Sequence, residues 1–216
     1  MTAIDALKEL GQLMMARGLV AGPGGNTSAR DGDRLVCTPS GFDVDRVPDD
    51  KWSILNLETG EVLSGPRPTS EWEMHQLCLK ARADANVICH AHPPRATGLV
   101  AGGMELLPFT PDFVAYIDHV TYLPFIKPSS TEIAEAVRDA VADGTNAVSL
   151  RNHGFLTLGI NWRDAFNKML IIEDAALLQM AAVAAGNPTP LNDEQIAHVR
   201  GMEVEAFRRK VLEEDA

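Results

Sequence analysis

Apolar positions along this chain alternate between helical spacing of three or four and strand spacing of two, and each switch marks an element. Ile4, Leu7, Met14 and Met15 share one face of a first helix, and Gly18 is placed to end it. "AGPGGNTSAR" follows as a Gly-rich loop entering a short strand. "DGD" at Asp31 to Asp33 signals a hairpin before "RLVCTPSG". "SILNLETGEVLSG" reads as a second hairpin turning at Thr59 and Gly60. Helical spacing returns in "RPTSEWEMHQLCLKARADA", with Thr69 or Ser70 as N-cap.

"NVICHAH" reads as a buried strand and "HVTYLPF" as another. In "PSSTEIAEAVRDAVADG", Ser129 stands three residues before Glu132, a capping-box spacing, and Gly144 ends the helix. "AVSLRNHGFLTLG" gives two strands meeting near Gly154. A long helix starts at Asn161 and stops at Gly186, and Asn192 caps a last helix running to about Glu213. Hairpin-linked strands cannot all be parallel. The fold class expected is therefore α+β: a central, mainly antiparallel sheet with helices packed on it. The Gly-rich loop fits neither GxGxxG nor GxxxxGK[ST], so a nucleotide-phosphate fingerprint is excluded.

The 216 residues are 45% apolar and 23% charged, which suits one domain spanning 1–216 with one well-filled core. A net charge of −11 and a pI near 4.9 argue against a nucleic-acid partner. Cys37, Cys78 and Cys89 form no CxxC pair, which fits a reducing cytoplasm. Asp5, Lys8, Glu9 and Arg17 interrupt the first segment, so no signal peptide is expected there. No run approaches the roughly 18 apolar residues of a membrane span.

Residues i and i+2 of a strand point to one face, so His90 and His92 project together. Pro93 and Pro94 then end the strand, placing the pair at a sheet margin. Two core histidines satisfied by backbone groups explain an isolated His-x-His equally well. A metal site needs a third ligand. His153 lies at a β-like break, beside a glycine that permits close backbone approach. His198 reads as a solvated helix residue and His119 as a loop residue, while His75 follows Glu71 by one turn. Three neutral imidazoles leave a divalent cation an open position, the arrangement of a catalytic site. Zn²⁺ is expected first, with Mn²⁺, Co²⁺ and Fe²⁺ as alternatives.

The segments "GGNTS" (24–28), "TPSG" (38–41), "PTSEWEMH" (68–75), "HAH" (90–92) and "RNHG" (151–154), in this order, resemble the class II aldolase/epimerase/adducin-head family. The resemblance covers nearly the whole chain, and it is nearest to the fuculose-phosphate aldolase branch. It implies a three-layer αβα domain and a homotetramer with active sites at subunit interfaces. It implies that His90, His92 and His153 bind Zn²⁺ and that Glu71 is the acid/base beside the metal. It also implies that Asn26, Thr27, Ser40, Gly41, Thr69 and Ser70 hold a substrate phosphate. Glu71 alone reads equally as a first-turn glutamate favoured by the helix dipole. The polar residues of the cradle are also ordinary turn and cap formers.

The reaction so implied is retro-aldol cleavage of a phosphorylated ketose through a metal-stabilised enediolate. The products are dihydroxyacetone phosphate and an aldehyde. No lysine is placed for an imine route. The branch carries a tyrosine that protonates the leaving aldehyde oxygen across a subunit contact. Here the nearest match falls at Asp112, with Tyr116 four residues on. A changed acid suggests a changed substrate. Decarboxylation of a 3-oxo sugar-acid phosphate, epimerisation or dehydration of a pentulose phosphate therefore remain alternatives. A non-catalytic interaction module and an iron oxygenase are the other classes considered.

Overall fold

The computed structural model describes residues 1–214. Eight strands form one sheet: β1 (Asn26–Asp31), β2 (Arg34–Cys37), β3 (Ser53–Asn56), β4 (Val62–Ser64), β5 (Val87–Ala91), β6 (Thr121–Leu123), β7 (Ala147–Leu150) and β8 (Gly154–Gly159). Their order across the sheet is β4-β3-β2-β1-β5-β8-β7-β6. Every pairing is antiparallel except β6 with β7. Those two are joined through α4 (Thr131–Ala142), and a helical crossover lets neighbouring strands run the same way. The fold is α+β, as expected.

Strand alternation builds the two helical layers. Val87, Cys89 and Ala91 of β5 join a core with α1 (Ala3–Ala16), α3 (Pro94–Ala101) and α5 (Trp162–Ala184). Ile88 faces the other way, into a second core with α2 (Trp72–Ala81) and α4. The three free cysteines are buried within these cores. Among the described residues, no helix is long and apolar enough to cross a membrane.

The hairpin turns sit where the sequence put them. Gly32 (φ +63°) follows Asp31, which pairs with Arg34, and Gly60 (φ +76°) stands in the β3–β4 turn. Asn161 caps α5 by accepting from the Asp164 N–H. Three expectations are corrected. Glu71, not Thr69 or Ser70, occupies the N-cap position of α2, because a turn closed by the Trp72 N–H on the Thr69 carbonyl precedes the helix. Ser130 caps α4 in place of Ser129, whose backbone takes φ +60° and whose hydroxyl donates to Ser70. The last helix is two, α6 (Asp193–Arg200) and α7 (Glu203–Glu214), divided at Gly201.

Candidate metal centre and the cavity beside it

The end of β5 and the β7–β8 turn bring the histidines together. His90 is the penultimate residue of β5 and fully buried. His92 follows the strand, and Pro94 opens α3 at its first position, where a missing N–H costs nothing. The His92 N–H donates to the Leu19 carbonyl, tying this corner to the loop after α1. His153 ends the β7–β8 turn, in which Asn152 adopts φ +59°, a conformation asparagine tolerates well.

Space for a side chain is absent at Gly154 and tight at Gly24. A Cβ at Gly154 would lie 2.4 Å from the Ala91 oxygen and 2.6 Å from His92 Cδ2. A Cβ at Gly24 would come within 3.2 Å of His92 Nδ1.

Each of the three histidines offers a ring nitrogen within 4.8 Å of the others. His90 Nε2 and His92 Nε2 are 3.3 Å apart. The His90 Nδ1–H donates to the Phe155 carbonyl at 3.0 Å, so its Nε2 turns a lone pair toward the other two rings. Burial, and then repulsion from His90 and His153, lowers His92 to about 4. Burial lowers His153 as well. Neutral imidazoles are ligands, and so the donor set fits a divalent cation.

Glu71 meets the trio from α2. Its Oε2 lies 3.2 Å from His90 Nε2, and its Oε1 lies 3.5 Å from His153 Nε2. The Asn26 side-chain amide donates to Oε2 at 2.9 Å, while the buried Oε1 accepts no hydrogen bond. Burial raises the Glu71 pKa. While they carry a proton in the metal-free site, the adjacent His90 and His153 outweigh it together with the Asn26 bond, and the carboxyl is then held below the usual range.

A cavity of about 160 Å³ opens beside this group. Asn26, Ser40, Gly41, Thr69, Ser70, Glu71 and His92 all line it. Its wall contains no lysine or arginine, and its polar groups are uncharged apart from Glu71 and His92.

Thr27 is the exception among the expected cradle residues. It lies between Asn26 and Ser28 on β1 and is paired with Cys89, so alternation turns it toward the α1 side of the sheet. Asp112 and Tyr116 do not join the histidines within this chain. Tyr116 lines a separate cavity with Asn146, Ile160 and Lys168, at the far ends of β7 and β8. Asp112 is exposed, 3.8 Å from the Arg208 guanidinium. His119 contacts Thr145, and His198 is exposed on α6. His75 is instead wholly buried beneath Glu71, a placement that sequence spacing assigned to the right helix face but to no task.

Residues 5–180 match the family model of the class II aldolase and adducin N-terminal domain. The chain belongs to this family. It is 30% identical to an L-fuculose phosphate aldolase of Methanococcus maripaludis over 77% of this chain and 90% of that one. It is 29% identical to a 3-oxo-tetronate 4-phosphate decarboxylase of Haemophilus influenzae, over 81% of this chain and 85% of that one. A solved L-fuculose 1-phosphate aldolase superposes with a TM-score of 0.85 at 29% identity, covering 95% of this chain and 96% of its own. The protein is thus an enzyme of the class II aldolase type, acting in sugar-phosphate chemistry and dependent on a metal. Among the described residues of this class II aldolase, the three-histidine cluster is the group that could bind the ion.

Proposed function

We propose that the chain cleaves a C–C bond of a phosphorylated ketose, releasing dihydroxyacetone phosphate and an aldehyde. The observation that carries this is one cavity with two kinds of wall. Its lining joins His92 and Glu71 with the uncharged Ser40, Gly41, Thr69 and Ser70. A phosphate in the cradle directs the sugar's oxygens toward the imidazoles, and its binding energy orients the reacting bond.

His90, His92 and His153 would hold a divalent cation, Zn²⁺ first among Mn²⁺, Co²⁺ and Fe²⁺, which when bound would supply Lewis-acid neutralisation of the charge that cleavage leaves on the ketone fragment. The electron pair of the broken bond stays with that fragment as an enediolate. In the condensing direction the Glu71 carboxylate takes a proton from that fragment's carbon, and cleavage is the reverse, the protonated Glu71 carboxyl returning that proton to the carbon. The hydroxyl proton on the aldehyde side needs a second group. We assign it to Asp112 or Tyr116 of a neighbouring copy, in a homotetramer with sites at subunit interfaces, since neither reaches the histidines of its own chain. Residues 1–216 act as a single domain in this scheme.

Decarboxylation of a 3-oxo sugar-acid phosphate is the second reading, favoured by the similarity to the Haemophilus influenzae decarboxylase. It uses the same site and loses CO₂ where the aldolase loses an aldehyde. The test is incubation of zinc-loaded protein with a panel of ketose and keto-acid phosphates, following dihydroxyacetone phosphate and CO₂ separately. Dihydroxyacetone phosphate supports the aldolase and CO₂ the decarboxylase. Neither product from any panel member contradicts both.

A further inference from the structure

A chain of hydrogen bonds runs from β1 to Glu71 through the buried His75. Asn26 and Ser28 are two apart on β1 and face α2 together. Ser28 Oγ lies 2.7 Å from His75 Nδ1, and His75 Nε2 lies 2.5 Å from Asn26 Oδ1. The Asn26 Nδ2 then donates to Glu71 Oε2 at 2.9 Å.

The carboxylate at its end fixes every proton in this chain. A carboxylate only accepts, so Asn26 gives Glu71 its NH₂ and shows His75 its carbonyl oxygen. That oxygen also only accepts, so His75 carries its proton on Nε2. Its Nδ1 is left as a lone pair, and the Ser28 hydroxyl donates to it. Burial keeps the ring neutral, its pKa pushed down to about 3. Ser28 and His75 are fully buried and Asn26 nearly so, so reversing any one member would strand a polar group away from water.

We propose that His75 is a positioning residue for proton transfer: through Asn26 it pins Oε2 of Glu71 and leaves Oε1 as the oxygen that exchanges the substrate's proton. This rests on the lyase function proposed above. A histidine that merely fills the core would stabilise the fold without acting through Glu71.

Two measurements separate these roles. In a double-mutant cycle on the zinc-loaded protein, His75→Leu lowers kcat about 10²-fold, the order of loss expected of a misplaced catalytic group, with KM and zinc content unchanged. His75→Gln can still donate to Asn26 and recovers most of that rate. In a Glu71→Gln background either change costs less than about 2-fold, because the group being positioned is gone. Equal losses in both backgrounds, or no loss at all, overturn the proposal. If His75→Leu does not fold, the cycle is run with His75→Gln, for which a larger loss with Glu71 present is expected and an equal loss in both backgrounds overturns it.

The second measurement is neutron diffraction from the zinc-loaded protein, and it needs no substrate. Deuterium on His75 Nε2 and none on Nδ1 supports the chain, and deuterium on Nδ1 overturns it. If no panel compound turns over, the lyase function fails separately and the neutron map still decides the hydrogen-bond chain.

Discussion

The His90 ring is oriented by the carbonyl of Phe155, which accepts its Nδ1–H at 3.0 Å across the β5–β8 pair. The sheet itself therefore chooses which nitrogen faces the other two histidines. His92 has no comparable clamp on the strand, since it lies one residue past it. His92→Ala leaves two imidazoles, too few for a tight site. Binding of Zn²⁺ should weaken by more than about 10²-fold. Chelator competition checks this, and retention of stoichiometric zinc would count against the site.

Glu71→Gln keeps the shape of the side chain and removes its ability to trade a proton. Metal content should stay at the wild-type level while turnover falls about 10²–10⁴-fold. Metal analysis alongside steady-state kinetics tests both halves. Near-normal turnover would move the acid/base role elsewhere.

Gly154→Ala tests the packing behind the ligands. The added methyl would meet the Ala91 carbonyl at 2.4 Å and the His92 ring at 2.6 Å, and neither can yield without moving a ligand. Overpacking of this kind costs about 1–3 kcal/mol. Thermal unfolding of metal-free protein should show that loss, and zinc should raise the midpoint less than in wild type. An unchanged zinc-dependent shift would mean that the corner yields without disturbing His92.

His75 also predicts a pH dependence. Its ordinary pKa of 6.5 applies in the unfolded chain, and burial lowers it to about 3 in the folded one. Between those values the unfolded chain binds a proton that the folded chain excludes. Stability should therefore be unaffected by His75 above 6.5 and fall as the pH drops from 6.5 toward 3. The slope is at most about 1.4 kcal/mol per pH unit. In metal-free protein His92, lowered to about 4, adds to it over a narrower window. Urea denaturation at about pH 7 and about pH 5 checks this. The difference should shrink in His75→Leu, and an equal difference there would contradict the buried neutral ring.

The sequence made the site legible where a local rule decides placement. Alternation put His90 and His92 on one side, prolines ended their strand, and Gly154 marked the close approach beside His153. The same alternation turns Thr27 away from Asn26, and applying it there would have removed Thr27 from the cradle. His75 was less legible. Its neighbour Asn26 lies 49 residues away on β1, and no short-range spacing reports that pairing. The cap of α4 slipped because the adjacent Ser129 and Ser130 both fit it and a long-range bond to Ser70 engages Ser129, whereas the cap of α2 slipped because a local turn at Thr69 delays the helix start to Glu71. Asp112 and Tyr116 were named from resemblance alone, and within the chain they stand apart from the histidines.

X-ray absorption at the zinc edge tests the centre most directly. The zinc-loaded protein should show three imidazole nitrogens at about 2.0–2.1 Å together with oxygen from solvent, and no sulfur. Two or fewer imidazoles, or a cysteine sulfur in the shell, would contradict a centre built from His90, His92 and His153.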